Sequence, residues 1–114
     1  MLNILDKNLR LAVLNNEKEP NVYYVSLGNV TKSVIETTNI DNDILLRIYL
    51  QGDCTVEELT TIIDKFSDYI LDTNNEIDGI RLDADPDEML ESIGFTLEND
   101  AYLYKRANRK LKRG

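Results

Sequence analysis

A chain of 114 residues and 13.1 kDa holds one compact domain and is too short for two. Apolar residues make up 42% and charged residues 30%, the balance of a folded protein rather than of a disordered polymer. The formal charge is −8 and histidine is absent, which excludes histidine bases, histidine-activated nucleophiles and histidine metal sites.

In chain order, residues 4–14 read as a short helix. Asn3 stands ready to cap it, Asp6 falls in the first turn, and Leu5, Leu9, Ala12 and Val13 recur at three- to four-residue spacing. Asn15 to Pro20 is a polar loop. Val22 to Leu27 is rich in β-branched residues and tyrosine, and Gly28-Asn29 is a two-residue hairpin signal leading into a second strand through about Thr38. After the turn Asp41-Asn42-Asp43, residues 44–51 alternate cleanly. Ile44, Leu46, Ile48 and Leu50 fall on one face, and Leu45, Arg47, Tyr49 and Gln51 on the other.

Thr55-Val56-Glu57-Glu58 has the form of a capping box, with Cys54 and Leu59 placed as a hydrophobic staple. From there Val56, Leu59, Ile62, Ile63, Phe66 and Ile70 recur at the helical period through about Leu71. Asn74-Asn75 ends that helix, and residues 79–84 predict a strand with Ile80, Leu82 and Ala84 inward. Asp85 and Pro86 open a short helix bearing Met89, Leu90 and Ile93, and Gly94 stops it. Residues 95–97 and 102–106 then pair as a final hairpin. The expected architecture is α+β with element order α-β-β-β-α-β-α-β-β: one domain over residues 1–104, a mostly antiparallel sheet, and helices packed mainly on one face. The last ten residues form a basic tail.

Charge is segregated along the chain. Residues 105–114 hold Lys105, Arg106, Arg109, Lys110, Lys112 and Arg113 and no acid, so they carry +6, while the first 104 residues carry −14. The body repels nucleic acid and membrane surfaces and the tail attracts them. The tail reads as a solvated end, as a segment that docks on an acidic patch of a neighbouring subunit or partner, or as a nucleic-acid contact; no aromatic residue lies beyond Tyr104 to support the last. Tyr23, Tyr24, Tyr49, Tyr102 and Tyr104 are either sheet fillers or anchors of a protein interface, where tyrosine is enriched.

Few groups are suited to chemistry. Cys54 is the single cysteine, so no intrachain disulfide or cysteine zinc cluster can form, and without histidine the thiol lacks its usual activating base. Five glycines stand singly and form no phosphate-binding loop. Asp83, Asp85 and Asp87 alternate like calcium-loop ligands, but Glu88 and Gly94 occupy the positions that need glycine and glutamate. The sequence therefore predicts no metal and no cofactor. The longest apolar run is a few residues, which predicts no membrane-spanning helix. Met1 leads into Leu-Asn-Ile-Leu-Asp-Lys without a basic region or cleavage site, so no signal peptide is expected and the location reads as cytoplasmic.

Two resemblances bear on function. Gly79-Ile80-Arg81-Leu82-Asp83-Ala84, Ile93-Gly94-Phe95 and Tyr102-Leu103-Tyr104, following a long helix, resemble the C-terminal half of the GNAT acetyltransferases over about fifty residues. That resemblance implies a coenzyme A pyrophosphate held by backbone amides at the start of the long helix. Here the corresponding loop is Gln51-Gly52-Asp53-Cys54-Thr55, with one glycine and an aspartate that repels phosphate. Over most of the chain, the order of a short N-terminal helix, a Tyr-Tyr-Val strand, a polar hairpin, the Ile44–Leu50 strand, one long amphipathic helix and a C-terminal tyrosine- and arginine-bearing strand is similar to the tail-terminator and neck proteins of tailed bacteriophages. That likeness implies a virion location and a ring-forming homo-oligomer without catalytic residues. The reading that follows is a non-enzymatic assembly protein. Its alternatives are a reduced GNAT-like acyltransferase and an acidic decoy that occupies a nucleic-acid-binding protein, the latter suggested by the −14 body.

Overall fold

The computed structural model describes residues 2–74, 76–77, 79–82, 96–98 and 101–104. Their architecture is α+β. Five strands run first: β1 (Leu2–Asp6), β2 (Leu11–Asn15), β3 (Val22–Leu27), β4 (Val30–Ile40) and β5 (Asp43–Leu50). The helix α1 (Val56–Thr73) follows, then β6 (Gly79–Leu82), β7 (Thr96–Glu98) and β8 (Ala101–Tyr104). All eight strands form one sheet in the order β1-β2-β3-β4-β5-β6-β8-β7. The first five make an antiparallel meander, β6 joins β5 in parallel, and β8 returns antiparallel to β6. A parallel neighbour requires a crossover, and α1 supplies it.

The expected helix over residues 4–14 is replaced by β1, a four-residue turn and β2, so the chain begins β-β rather than with a helix. The apolar residues in this window satisfy both periods. Leu5, Leu9, Ala12 and Val13 fit the helical period, whereas Leu2 with Ile4 and Leu11 with Val13 fit the strand period, and an isolated eleven-residue helix is marginal in water. Local hydrogen bonding decides the matter. The Asp6 carboxylate accepts from the Asn8 amide at 3.0 Å, and Arg10 takes a left-handed φ of 53°, closing a turn that a helix cannot contain. Asn3, expected as a cap, instead donates to the Tyr69 hydroxyl at 3.2 Å and ties β1 to α1.

The other strands lie close to their expected places. Leu27 pairs with Val30 across Gly28-Asn29. Gly28 has φ +64° and Asn29 is not left-handed, the pattern of a type II′ turn, in which glycine fills the first central position. The final hairpin pairs Leu97 with Tyr102. The expected helix over 85–94, the aspartates at 83, 85 and 87, and the basic tail at 105–114 lie outside the described residues.

Cross-strand register assigns the two faces, because paired residues project to the same side. Leu11 and Val13 of β2, Val25 of β3, Ile35 of β4, Ile44 and Leu46 of β5, and Ile80 and Leu82 of β6 are all buried under α1. The helix answers with Ile62, Ile63, Phe66, Ile70 and Leu71. Phe66 is the largest fully buried side chain and meets the edge of Tyr23 at a centroid separation of 5.1 Å. Leu50, on the same face, is half exposed because it lies at the far end of β5. Across the parallel pair, Arg81 Nε donates to the Asp43 carboxylate at 2.9 Å, fixing β6 against the start of β5. Truncating the keystone of this layer, Phe66→Ala, is expected to cost about 3–5 kcal/mol of stability, read as a lowered urea midpoint.

Candidate functional site

Two places on this scaffold are candidates for function. One is the N-terminal end of α1, where the acetyltransferase resemblance implies an anion. The other is the face of the sheet opposite α1.

The start of α1 is closed by its own side chains. Thr55 Oγ1 accepts from the Glu58 amide at 3.1 Å and Glu58 Oε1 accepts from the Thr55 amide at 2.9 Å, completing the expected capping box. Lys32, reaching over from β4, donates to the Asp53 carbonyl at 2.8 Å and lies 3.5 Å from the Glu58 carboxylate. The backbone hydrogen bond from Thr55 and the Lys32 charge hold the Glu58 carboxyl below its usual range. An incoming phosphate would have to displace a carboxylate from these amides and separate it from the one lysine in contact with it. Glu57 and Asp53 flank the same turn, so the field there opposes a second anion.

Cys54 sits beside this cap, partly buried against the core with Leu59, as a staple requires. Burial pushes its thiol upward, the Glu58 charge adds to the rise, and Lys32 opposes it. The environment therefore keeps the sulfur protonated and unreactive. Tyr23 is raised as well, chiefly by burial and then by Tyr69.

The opposite face is different in character. By register it carries Leu2 and Ile4 of β1, Ala12 and Leu14 of β2, Tyr24 and Ser26 of β3, Val34, Glu36 and Thr38 of β4, Asp43, Leu45, Arg47 and Tyr49 of β5, and Arg81 of β6, so that its apolar groups gather toward β1 and β2. No described element packs on it. Leu2 is 59% exposed, Ile4 58%, Tyr49 52% and Leu14 45%. At its β1 end a hollow of about 380 Å³ has Leu2, Ile4 and Ala12 as its apolar floor and Lys7 and Arg10 at its rim.

The candidate tyrosines are thus divided. Tyr23 faces the helix and packs against Phe66 and Tyr69, whereas Tyr24 and Tyr49 lie on the uncovered face, separated by Val34. Tyr102 and Tyr104 are placed in β8, opposite Leu82 and Ile80 in the register. Lys105, Arg106, Arg109, Lys110, Lys112 and Arg113 lie beyond the described residues. Sequence reasoning overlooked Leu2, Ile4 and Leu14 as surface groups. The alternation of Leu2 with Ile4 and of Ala12 with Leu14 was the signal that could have found them.

Among the described residues no group of three or more acids or cysteines could hold a metal ion, and no helix is long and apolar enough to cross a membrane. Compared with protein-family models, with curated proteins and with solved structures, the chain shows no significant match to any of them.

Two outcomes are expected at the helix start. Thr55→Ala should destabilise the fold by about 1 kcal/mol in urea titration. Cys54 should alkylate more slowly in the native chain than in the unfolded one at the same pH. Because Cys54 and Tyr23 rise above their ordinary values of 9.0 and 10.0, their contribution to stability is complete below about pH 9 and is lost as pH climbs through their folded-state values.

Proposed function

We propose that this chain is a non-enzymatic assembly module that acts by contact with other macromolecules, and most concretely a homo-oligomer of the ring-forming kind similar to phage tail-terminator and neck proteins. The observation that carries this reading is the exposed apolar row Leu2, Ile4, Leu14 and Tyr49 on the uncovered sheet face. Exposed apolar surface gathered on one face marks an interaction site, and tyrosine and large aliphatic residues are what such sites use. The segregation of charge between an acidic body and a basic end supports head-to-tail contact between copies, which closes into rings.

Light scattering over a range of protein and salt concentrations tests it. A species larger than the 13.1 kDa chain that grows with protein concentration is expected. A strict monomer at millimolar concentration and low salt overturns the reading.

A specific observation favours a second reading. The parallel β5–α1–β6 crossover, followed by the β7–β8 hairpin, has the succession of elements that the acetyltransferase resemblance implies. Against it stands the self-capped start of α1. Calorimetry with acetyl-coenzyme A separates the two: no binding heat at millimolar ligand is expected, and saturable heat would favour the acyltransferase.

A further inference from the structure

We infer that the outer edge of β1 is a self-pairing surface, on which a second copy of this chain adds its own β1 in antiparallel register. This rests on the reading of the protein as a homo-oligomer and names the contact. β1 pairs with β2 on one side and, among the described residues, ends the sheet on the other, so its outer edge presents backbone donors and acceptors that no described strand meets. Edge strands that avoid pairing carry lysine, proline or an inward charge. The sequence Leu-Asn-Ile-Leu-Asp has neither lysine nor proline, and its one charge, Asp6, is engaged with the Asn8 amide. The register shift between Ile4 and Asp6 bends only the far end of the strand, leaving Leu2 to Ile4 regular. Two-fold pairing about Asn3 then sets each Leu2 opposite the second copy's Ile4. The exposed apolar pairs of both copies come together on the uncovered face, and their two hollows join.

Charge identifies the occupant as a second copy rather than an unrelated strand. The turn at the end of β1 carries Lys7 and Arg10, and the loop after β2 carries Glu17 and Glu19 with Lys18 between them, a net −1, all exposed. Because β2 runs antiparallel to β1, that acidic loop lies at the end of β1 remote from Lys7. An antiparallel copy therefore brings the basic turn of each chain alongside the acidic loop of the other, twice over in one two-fold contact. A parallel copy would set turn beside turn and repel. Such a contact joins copies in pairs.

The test uses two charge-reversed full-length chains, Lys7→Glu with Arg10→Glu and Glu17→Lys with Glu19→Lys, followed by sedimentation. Each alone should associate about tenfold more weakly than the native chain, since its two contacts become like-charged. An equimolar mixture should recover native affinity, because both contacts of the mixed pair are again complementary. Ile4→Lys, at an exposed position, should also weaken pairing while its circular dichroism stays native. If the native chain associates, but the mixture fails to recover or Ile4→Lys associates normally, the edge contact is wrong and the assembly reading stands. If the native chain is monomeric throughout, both fall together.

Discussion

The structure depends on the burial of one amphipathic helix against one face of a broad sheet. An 18-residue helix is about 27 Å long and roughly 10 Å across, whereas eight strands at about 4.8 Å spacing extend over some 34 Å. Phe66, wedged between Tyr23 and Tyr69, fixes the helix over the centre of that surface. The centre of the layer beneath the helix is apolar and buried, from Leu11 to Leu82, and its polar contacts, Asn3 with Tyr69 and Lys32 with Glu58, are made away from that centre. The reverse side of the same strands receives no such cover among the described residues. A sheet of this kind commonly places polar groups on its wet face. Here Leu2, Ile4, Leu14 and Tyr49 occupy positions that would otherwise be polar, and the surface they form is the main physical reason to read the molecule as a partner of other macromolecules.

The parts of the fold that were legible in the sequence are those where several independent signals coincide. Around α1, the capping box, the staple and a long 3.6-residue period all point to one start and one face, and the helix begins at Val56 as they require. In β5 the strict alternation of Ile44 and Leu46 against Leu45 and Arg47 admits one reading. Residues 4–14 are the opposite case. Leu5, Leu9, Ala12 and Val13 fit a helical stripe, yet Leu2, Ile4, Ala12 and Leu14 fit two alternating strands equally well. What separates the two is non-local: β2 pairs along its whole length with β3, and a pattern confined to eleven residues holds no record of that neighbour. The apolar positions on the uncovered face of β1 and β2 become legible only once that pairing is known.

The tyrosines show a related limit. Composition marked Tyr23 and Tyr24 as a pair, but consecutive strand residues face opposite ways, and only register tells which of them meets the helix. Val25, paired with Val13 and Ser33, fixes its neighbours: Tyr24 is turned out and Tyr23, two positions away, is turned in. Tyr23 thereby becomes part of the aromatic cluster that holds α1, while Tyr24 joins Tyr49 on the far side.

The start of α1 sets a common ligand position against the helix's own capping groups. In sheets with a parallel crossover, the crevice beyond the carboxyl ends of the strands is where ligands commonly bind, with the helix N-terminus supplying amides for an anion. The β5–α1–β6 unit has that arrangement. Its amides, however, are finite in number, and the capping box engages those of Thr55 and Glu58. Thr55 and Glu58 take them, Lys32 neutralises the carboxylate so gained, and Cys54 and Leu59 seal the turn against the core. Thr-x-x-Glu at residues 55–58 thus places the helix's own carboxylate where an incoming anion would approach.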